Sequence, residues 1–125
     1  MKTKTFRDLQ VWQRSMKLAE QVYGATRDFP SSEAFGLTSQ VRRAAVSIPS
    51  NIAEGHGRET DKNFAQFLIQ ARGSLCELET QLELACALKM LVPSQSRDLL
   101  KETGEVGRML NGLLRALRNS ERSPR

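Results

Sequence analysis

Histidine is nearly missing from this chain: its 125 residues hold one, His56, beside two cysteines, one tryptophan and one tyrosine. A bundle-type metal centre needs carboxylate and histidine ligands paired on different helices, which one histidine cannot supply. His56 also lies between two glycines in EGHGR, with no Cys, Asp or Glu cluster at ligand spacing. Cys76 and Cys86 fall in one predicted helix, ten residues apart, too far for a disulfide at ~1.5 Å rise per residue. They read as small core or interface hydrophobes in a reducing compartment. No apolar run approaches the ~20 residues of a membrane span. The opening MKTKTFRDLQVW has no apolar stretch of signal-peptide length after its lysines. These shortages point to a cytoplasmic protein with no metal and no membrane partner.

Catalytic patterns are equally scarce. Gly55 and Gly57 lack the GxxxxGK[ST] spacing and the preceding strand of a phosphate loop. Glu77, Glu79 and Glu83 crowd one predicted helix, but Glu79 and Glu83 are ordinary i,i+4 neighbours, better read as a salt-bridge face toward arginines than as an acid–base pair. No nucleophile has an evident base, so the chain is read as non-enzymatic and without a cofactor.

What the chain does have is helical periodicity and arginine. At 14.0 kDa, residues 1–125 make one domain. Leu9, Trp12, Met16, Ala19, Tyr23 and Thr26 recur at spacings of three and four, with Val11, Leu18, Val22 and Phe29 on a neighbouring stripe. Asp8 stands as the helix cap. Phe35, Thr38, Val41, Ala45, Ile48 and Ile52 share a second helical face, in which Pro49 predicts a kink. Phe64, Leu68, Ala71, Leu75, Leu78, Leu82 and Ala85 form a bundle seam, and Leu99, Thr103, Val106, Leu110, Leu113 and Leu117 follow the same spacing after a cap at Ser94 or Ser96. Helices are therefore expected at about 8–29, 33–56, 61–91 and 95–118. Short connections make the expected fold an all-α, antiparallel up-down four-helix bundle with its second helix kinked at Pro49. The apolar surface of the third helix exceeds what one neighbour covers, which predicts self-association.

Thirteen of the nineteen basic residues are arginine, and the net charge of +5 is concentrated at the ends. Lys2, Lys4 and Arg7 make residues 1–7 basic, as five arginines against Glu121 make 106–125, while the middle is slightly acidic. The basic tails are taken as 1–7 and 119–125. On the fourth helix Arg97, Lys101, Arg108, Arg115 and Arg122 line one face, joined by Arg118. Such a stripe is either a solvated face that keeps the protein soluble or a surface for phosphate backbones. Base stacking is not expected, because the aromatics mostly fall on apolar stripes.

The segment FGLTSQVRRAAVSIPSNIAEGHGR, residues 35–58, resembles the signature of the bacterial four-helix-bundle family known as 23S rRNA-intervening-sequence proteins. FRDLQVWQ and FAQFLIQARGSLCELETQLELA are similar to that family's other blocks. The resemblance implies an antiparallel bundle assembled as a ring, usually a homopentamer, with no catalytic residue. It also implies a distant similarity to the accessory variability determinant of diversity-generating retroelements, a basic pentamer that works with a reverse transcriptase and nucleic acid. The motif positions are Arg42, Arg43, Ser47, Pro49, Asn51, Ala53, Glu54, Gly55, Gly57 and Arg58. Most have ready structural work: Pro49 to bend the helix, Ser47 or Asn51 to satisfy the freed backbone, the glycines to turn, Glu54 and Arg58 to pair at i,i+4. The leading expectation is a homo-oligomeric protein that binds the phosphates of RNA or DNA. The alternative is an interaction scaffold in which Glu77, Glu79 and Glu83 of one protomer meet Arg42, Arg43 or Arg72 of another, or acidic partner proteins meet the arginines.

Overall fold

The computed structural model describes residues 5–122, and their side chains as far as 120. Four helices dominate: α1 (Gln10–Thr26), α2 (Leu37–His56), α3 (Asp61–Ala87) and α4 (Pro93–Arg122). Among the described residues there is no strand. Each helix packs on its chain neighbours and α1 also on α4, while neither diagonal pair approaches closely, so the four surround one core.

Local chemistry sets the boundaries. Asp8 does not cap α1; it closes a capping box with Thr5 around a 3-10 turn, Phe6–Asp8, and Leu9 precedes the helix without a side-chain cap. The first connection is longer than expected, because Ser31–Glu33 form a separate 3-10 turn and α2 starts at Leu37. There the Glu33 carboxylate accepts from the Leu37 amide at 3.0 Å, satisfying one of the donors a helix start leaves orphaned. Thr60 caps α3 by accepting from the Asn63 amide at 3.1 Å. α3 stops at Ala87, short of Leu91, because Lys89 turns left-handed with φ 62°. Pro93 is the first residue of the fourth helix, expected from about 95, and its missing N–H costs nothing there.

The α3 seam is buried at all seven expected positions. α4 buries Leu114 where the spacing favoured Leu113, which is only half covered. On α1 the core draws residues from both stripes. Leu9, Val11, Leu18, Val22 and Phe29 are buried, with Ala19, Thr26 and Ser15, whereas Met16 and Tyr23 are exposed and Trp12 is half covered. Phe35, expected on the buried face of α2, is 101% exposed because it precedes the helix in the turn. Cys76 is exposed and Cys86 half-buried, and both are free thiols.

Contacts across α2 and α3 join Ser47 to Ser74, and Gly55 to Phe67 and Phe64. Those across α3 and α4 join Arg72 to Asn111, Leu75 to Gly107 and Glu79 to Thr103. In both sets one number falls as the other rises, so each pair of helices runs in opposite directions. Pro49 is buried inside a continuous α2, where its ring nitrogen offers Ala45 no hydrogen bond. Asn51 donates instead to the Ser47 carbonyl at 2.9 Å and to its hydroxyl at 3.0 Å.

Gly55 lies at a close approach of α2 to α3. A Cβ there would lie 2.6 Å from the Cβ of Phe67 and 3.0 Å from Cδ1 of Phe64. The sequence reading gave Gly55 to a turn; the structure places it buried in the last turn of α2, under α3. Gly57, by contrast, has an ordinary right-handed backbone and space for a Cβ. Gly55→Ala is expected to destabilise the bundle by about 1–3 kcal/mol through overpacking, and Gly57→Ala by much less. Urea unfolding followed by circular dichroism separates the two.

Candidate nucleic-acid interface

α4 presents a face on which Arg97, Lys101, Arg108, Arg115 and Arg118 are all exposed. Their spacings of three, four and seven keep them on one side over the length of the helix. The backbone of Arg122 ends α4; its side chain lies outside the described residues, as do Lys2 and Lys4. A Cβ on Gly104 or Gly112 would meet nothing within 4 Å, so the space over both stays open. Arg72 of α3 joins the stripe by donating to the Asn111 side-chain oxygen at 3.0 Å.

The acids beside the stripe are largely occupied within the chain. Glu102 accepts from Arg14 of α1 at 3.1 Å. Glu79 accepts from the buried Thr103 hydroxyl at 2.8 Å, rather than from the arginine expected for it. Glu105 pairs with Arg108 one turn on, and that hydrogen bond and charge hold its carboxyl below the usual range against a small opposing effect of desolvation. Such a pair at the surface stabilises little. Arg108 is therefore partly neutralised, while Arg97, Lys101, Arg115 and Arg118 have no ion-pair partner among the described residues.

The motif residues gather on α2 and at the α2–α3 end of the bundle, away from this stripe. Arg42 donates to the Thr26 hydroxyl at 2.9 Å and lies 4.5 Å over the Tyr23 ring, stapling α2 to α1. Arg43, about 100° round the helix, bonds only to Ser39 at 3.2 Å and is exposed. The Ser47 and Ser74 hydroxyls meet at 2.9 Å. Glu54 and Arg58 form the expected i,i+4 pair at 3.3 Å, and Arg58 also stacks 4.8 Å over Phe67. His56 meets the edge of Phe64 at 5.7 Å. No group of His, Cys, Asp and Glu able to hold a metal occurs among the described residues. No helix among them is long and apolar enough to cross a membrane.

Two surfaces went unrecognised in the sequence. Trp12, Met16, Tyr23, Val46, Pro49 and Ala53 line an apolar groove of about 570 Å³ between α1 and α2. Gln40, Arg43, Ser47, Glu77 and Gln81 line a polar notch of about 300 Å³ between α2 and α3. The groove had a signal in the second apolar stripe of α1. The notch had only i,i+3 and i,i+4 spacings of polar residues, which any wet helix face shows.

With this geometry, a family profile described as 23S rRNA-intervening sequence protein matches residues 7–112. The chain belongs to this family. The match to the 23S rRNA-intervening sequence protein family covers α1 to α3 and α4 as far as residue 112, leaving Arg115 and Arg118 beyond it. No curated protein matches. Among solved structures, the chain is similar to a Bacteroides thetaiotaomicron protein of unknown function from the S23 ribosomal protein family. That likeness has 21% identity and a TM-score of 0.75, and covers 83% of this chain and 97% of the other. At that identity it speaks for the fold alone.

The carboxyl of Glu105 is expected to titrate below a normal glutamate in this family member, and Arg108→Gln to return it toward the normal value. Carboxyl carbon shifts followed by NMR through acid pH measure both. With the native-state value depressed, the pair's small stabilisation is present above the unfolded-state value and lost as pH falls through the native one.

Proposed function

We propose that the protein is a non-enzymatic, homo-oligomeric nucleic-acid-associated bundle that binds the phosphate backbones of RNA or DNA through α4. The observation that carries this reading is the exposed row Arg97, Lys101, Arg108, Arg115 and Arg118, beside Glu79 and Glu102, which are engaged within the chain. Guanidinium groups match phosphate oxygens bidentately, and an unpartnered row along a straight helix meets several phosphates at once. With about four free cations, log affinity falls with log salt at a slope of roughly −3 to −4, with weak sequence preference. The family's description, which refers to intervening sequences of rRNA, agrees with a nucleic-acid setting. A reverse transcriptase is a fitting protein partner on the same grounds of a shared nucleic acid.

Self-association rests on apolar surface. The groove between α1 and α2 has exposed Met16, Tyr23 and Val46, while Ile69, Leu84 and Leu88 are exposed on α3 and just past its end, and Val92 just before α4. Patches at different places on one molecule pair head to tail, and such contacts close into a ring when the rotation between neighbours closes. Of the three arginines the scaffold alternative uses, Arg42 and Arg72 are engaged inside the chain, which leaves it Arg43.

Filter binding of structured RNA and duplex DNA across a salt series tests the reading. Arg115→Glu with Arg118→Glu is expected to weaken binding to every sequence alike, by roughly tenfold or more, and to flatten the salt slope by about two. Absence of binding at low salt overturns it and leaves the scaffold. Light scattering is expected to give a multiple of 14.0 kDa. Val46→Glu in the groove should shift that mass to the single chain; an unchanged mass would place the subunit contact elsewhere.

A further inference from the structure

We propose that the notch between α2 and α3 receives one unpaired guanine base of the bound strand; this rests on the phosphate-binding reading of α4 and adds base preference to it. The notch encloses about 300 Å³ between Gln40, Arg43, Ala44 and Ser47 of α2 and Glu77 and Gln81 of α3. That volume is at the lower end for pockets that hold a small molecule.

Its polar groups are unusually idle. The side chains of Gln40, Glu77 and Gln81 make no hydrogen bond or ion pair with other described residues, and the Gln81 carbonyl oxygen is buried without a donor. Arg43 spends one amino group on Ser39 and keeps the rest of its guanidinium. Ser47 is committed, pairing with Ser74 and accepting from Asn51, so it shapes the wall rather than offering a bond. A buried acceptor with no donor is costly, and a ligand N–H that reaches it removes the deficit.

The sign pattern selects the ligand. A simple anion is repelled by Glu77, a simple cation by Arg43, and one carboxylate is too few for a metal. The ligand must carry adjacent N–H donors on one edge and acceptors on another, within one small body. Of the four bases, guanine alone has two neighbouring donors, N1–H and the N2 amino group, which match the two oxygens of Glu77. The second N2 hydrogen then faces Gln81, one helical turn along from Glu77. Its O6 and N7 acceptors suit the free nitrogens of Arg43, the geometry by which arginine reads guanine elsewhere. Adenine and cytosine each offer one amino donor beside an acceptor, and uracil a single N–H, so each sets an acceptor against Glu77.

Placement fits a strand already held by α4. The notch lies on the α2 side of α3 and the stripe on α4, the helix packed against the other side of α3. A Cβ on Gly73 of α3 would meet nothing within 4 Å, leaving a path across its outer face.

The test is fluorescence anisotropy of short single-stranded RNAs at low salt, seven uridines against the same strand with one central guanosine, adenosine or cytidine. The guanosine strand is expected to bind on the order of tenfold more tightly than the other three. Glu77→Gln should bring that ratio to about one without lowering affinity for the uridine strand, since it removes a negative charge. Arg115→Glu should weaken all four strands together and keep the ratio, whereas a merely structural role for Glu77 would make Glu77→Gln weaken the uridine strand as well. Equal affinities for the four strands, or a guanosine preference that persists in Glu77→Gln, overturn the notch while leaving the α4 reading intact. Failure of every strand to bind overturns both.

Discussion

Gly55 lies so close to Phe64 and Phe67 that no side chain fits between α2 and α3, and much of the molecule is organised around that approach. It draws α2 onto α3 over the most extensive helix contact in the bundle. Two helices this close also bring polar residues within reach, so Ser47 meets Ser74 and Asn51 folds back on Ser47. Further along the same junction the helices leave the notch between Gln40, Arg43, Glu77 and Gln81. The seam of α3 buries its seven residues toward the core between α2 and α4, leaving α4 packed by one face and free on the other.

The arginines divide by the work this packing gives them. Arg42 is a staple between helices, Arg58 lies on Phe67, and Arg14 reaches across to Glu102. Among the described residues, the arginines of α4 have no such duty apart from Arg108. A long cationic side chain held by no partner keeps its rotamer freedom, and a phosphate backbone contacting several of them gains mainly through released counterions. Family motif and basic stripe therefore occupy different faces. The motif secures the helix pair, and the stripe remains available to a partner.

Legibility in the sequence followed the strength of the period. α3 was read correctly at each buried position because its apolar residues alternate strictly by three and four with polar residues between. On α1 the spacing leaves open which stripe is buried. The helix carries two apolar stripes about 100° apart, and nothing local says which one the other helices cover; burial of Leu18 and Val22 leaves Met16 and Tyr23 outside. Phe35 was misplaced by a turn that begins α2 two residues later. Asp8 was seen as a cap and does serve in one, but for the 3-10 turn before α1.

Four helices, their order, the core of α3 and the arginine row of α4 were determined by the sequence alone, because each is a matter of spacing along one helix. Which stripe of α1 is buried, why Gly55 must be glycine, and which arginines remain unpaired were decided only by the tertiary structure. These depend on distances between residues far apart in the chain: Gly55 and Phe67, Arg42 and Thr26, Thr103 and Glu79. A helical period fixes the direction in which a side chain leaves its own helix, but not what stands opposite when four helices pack.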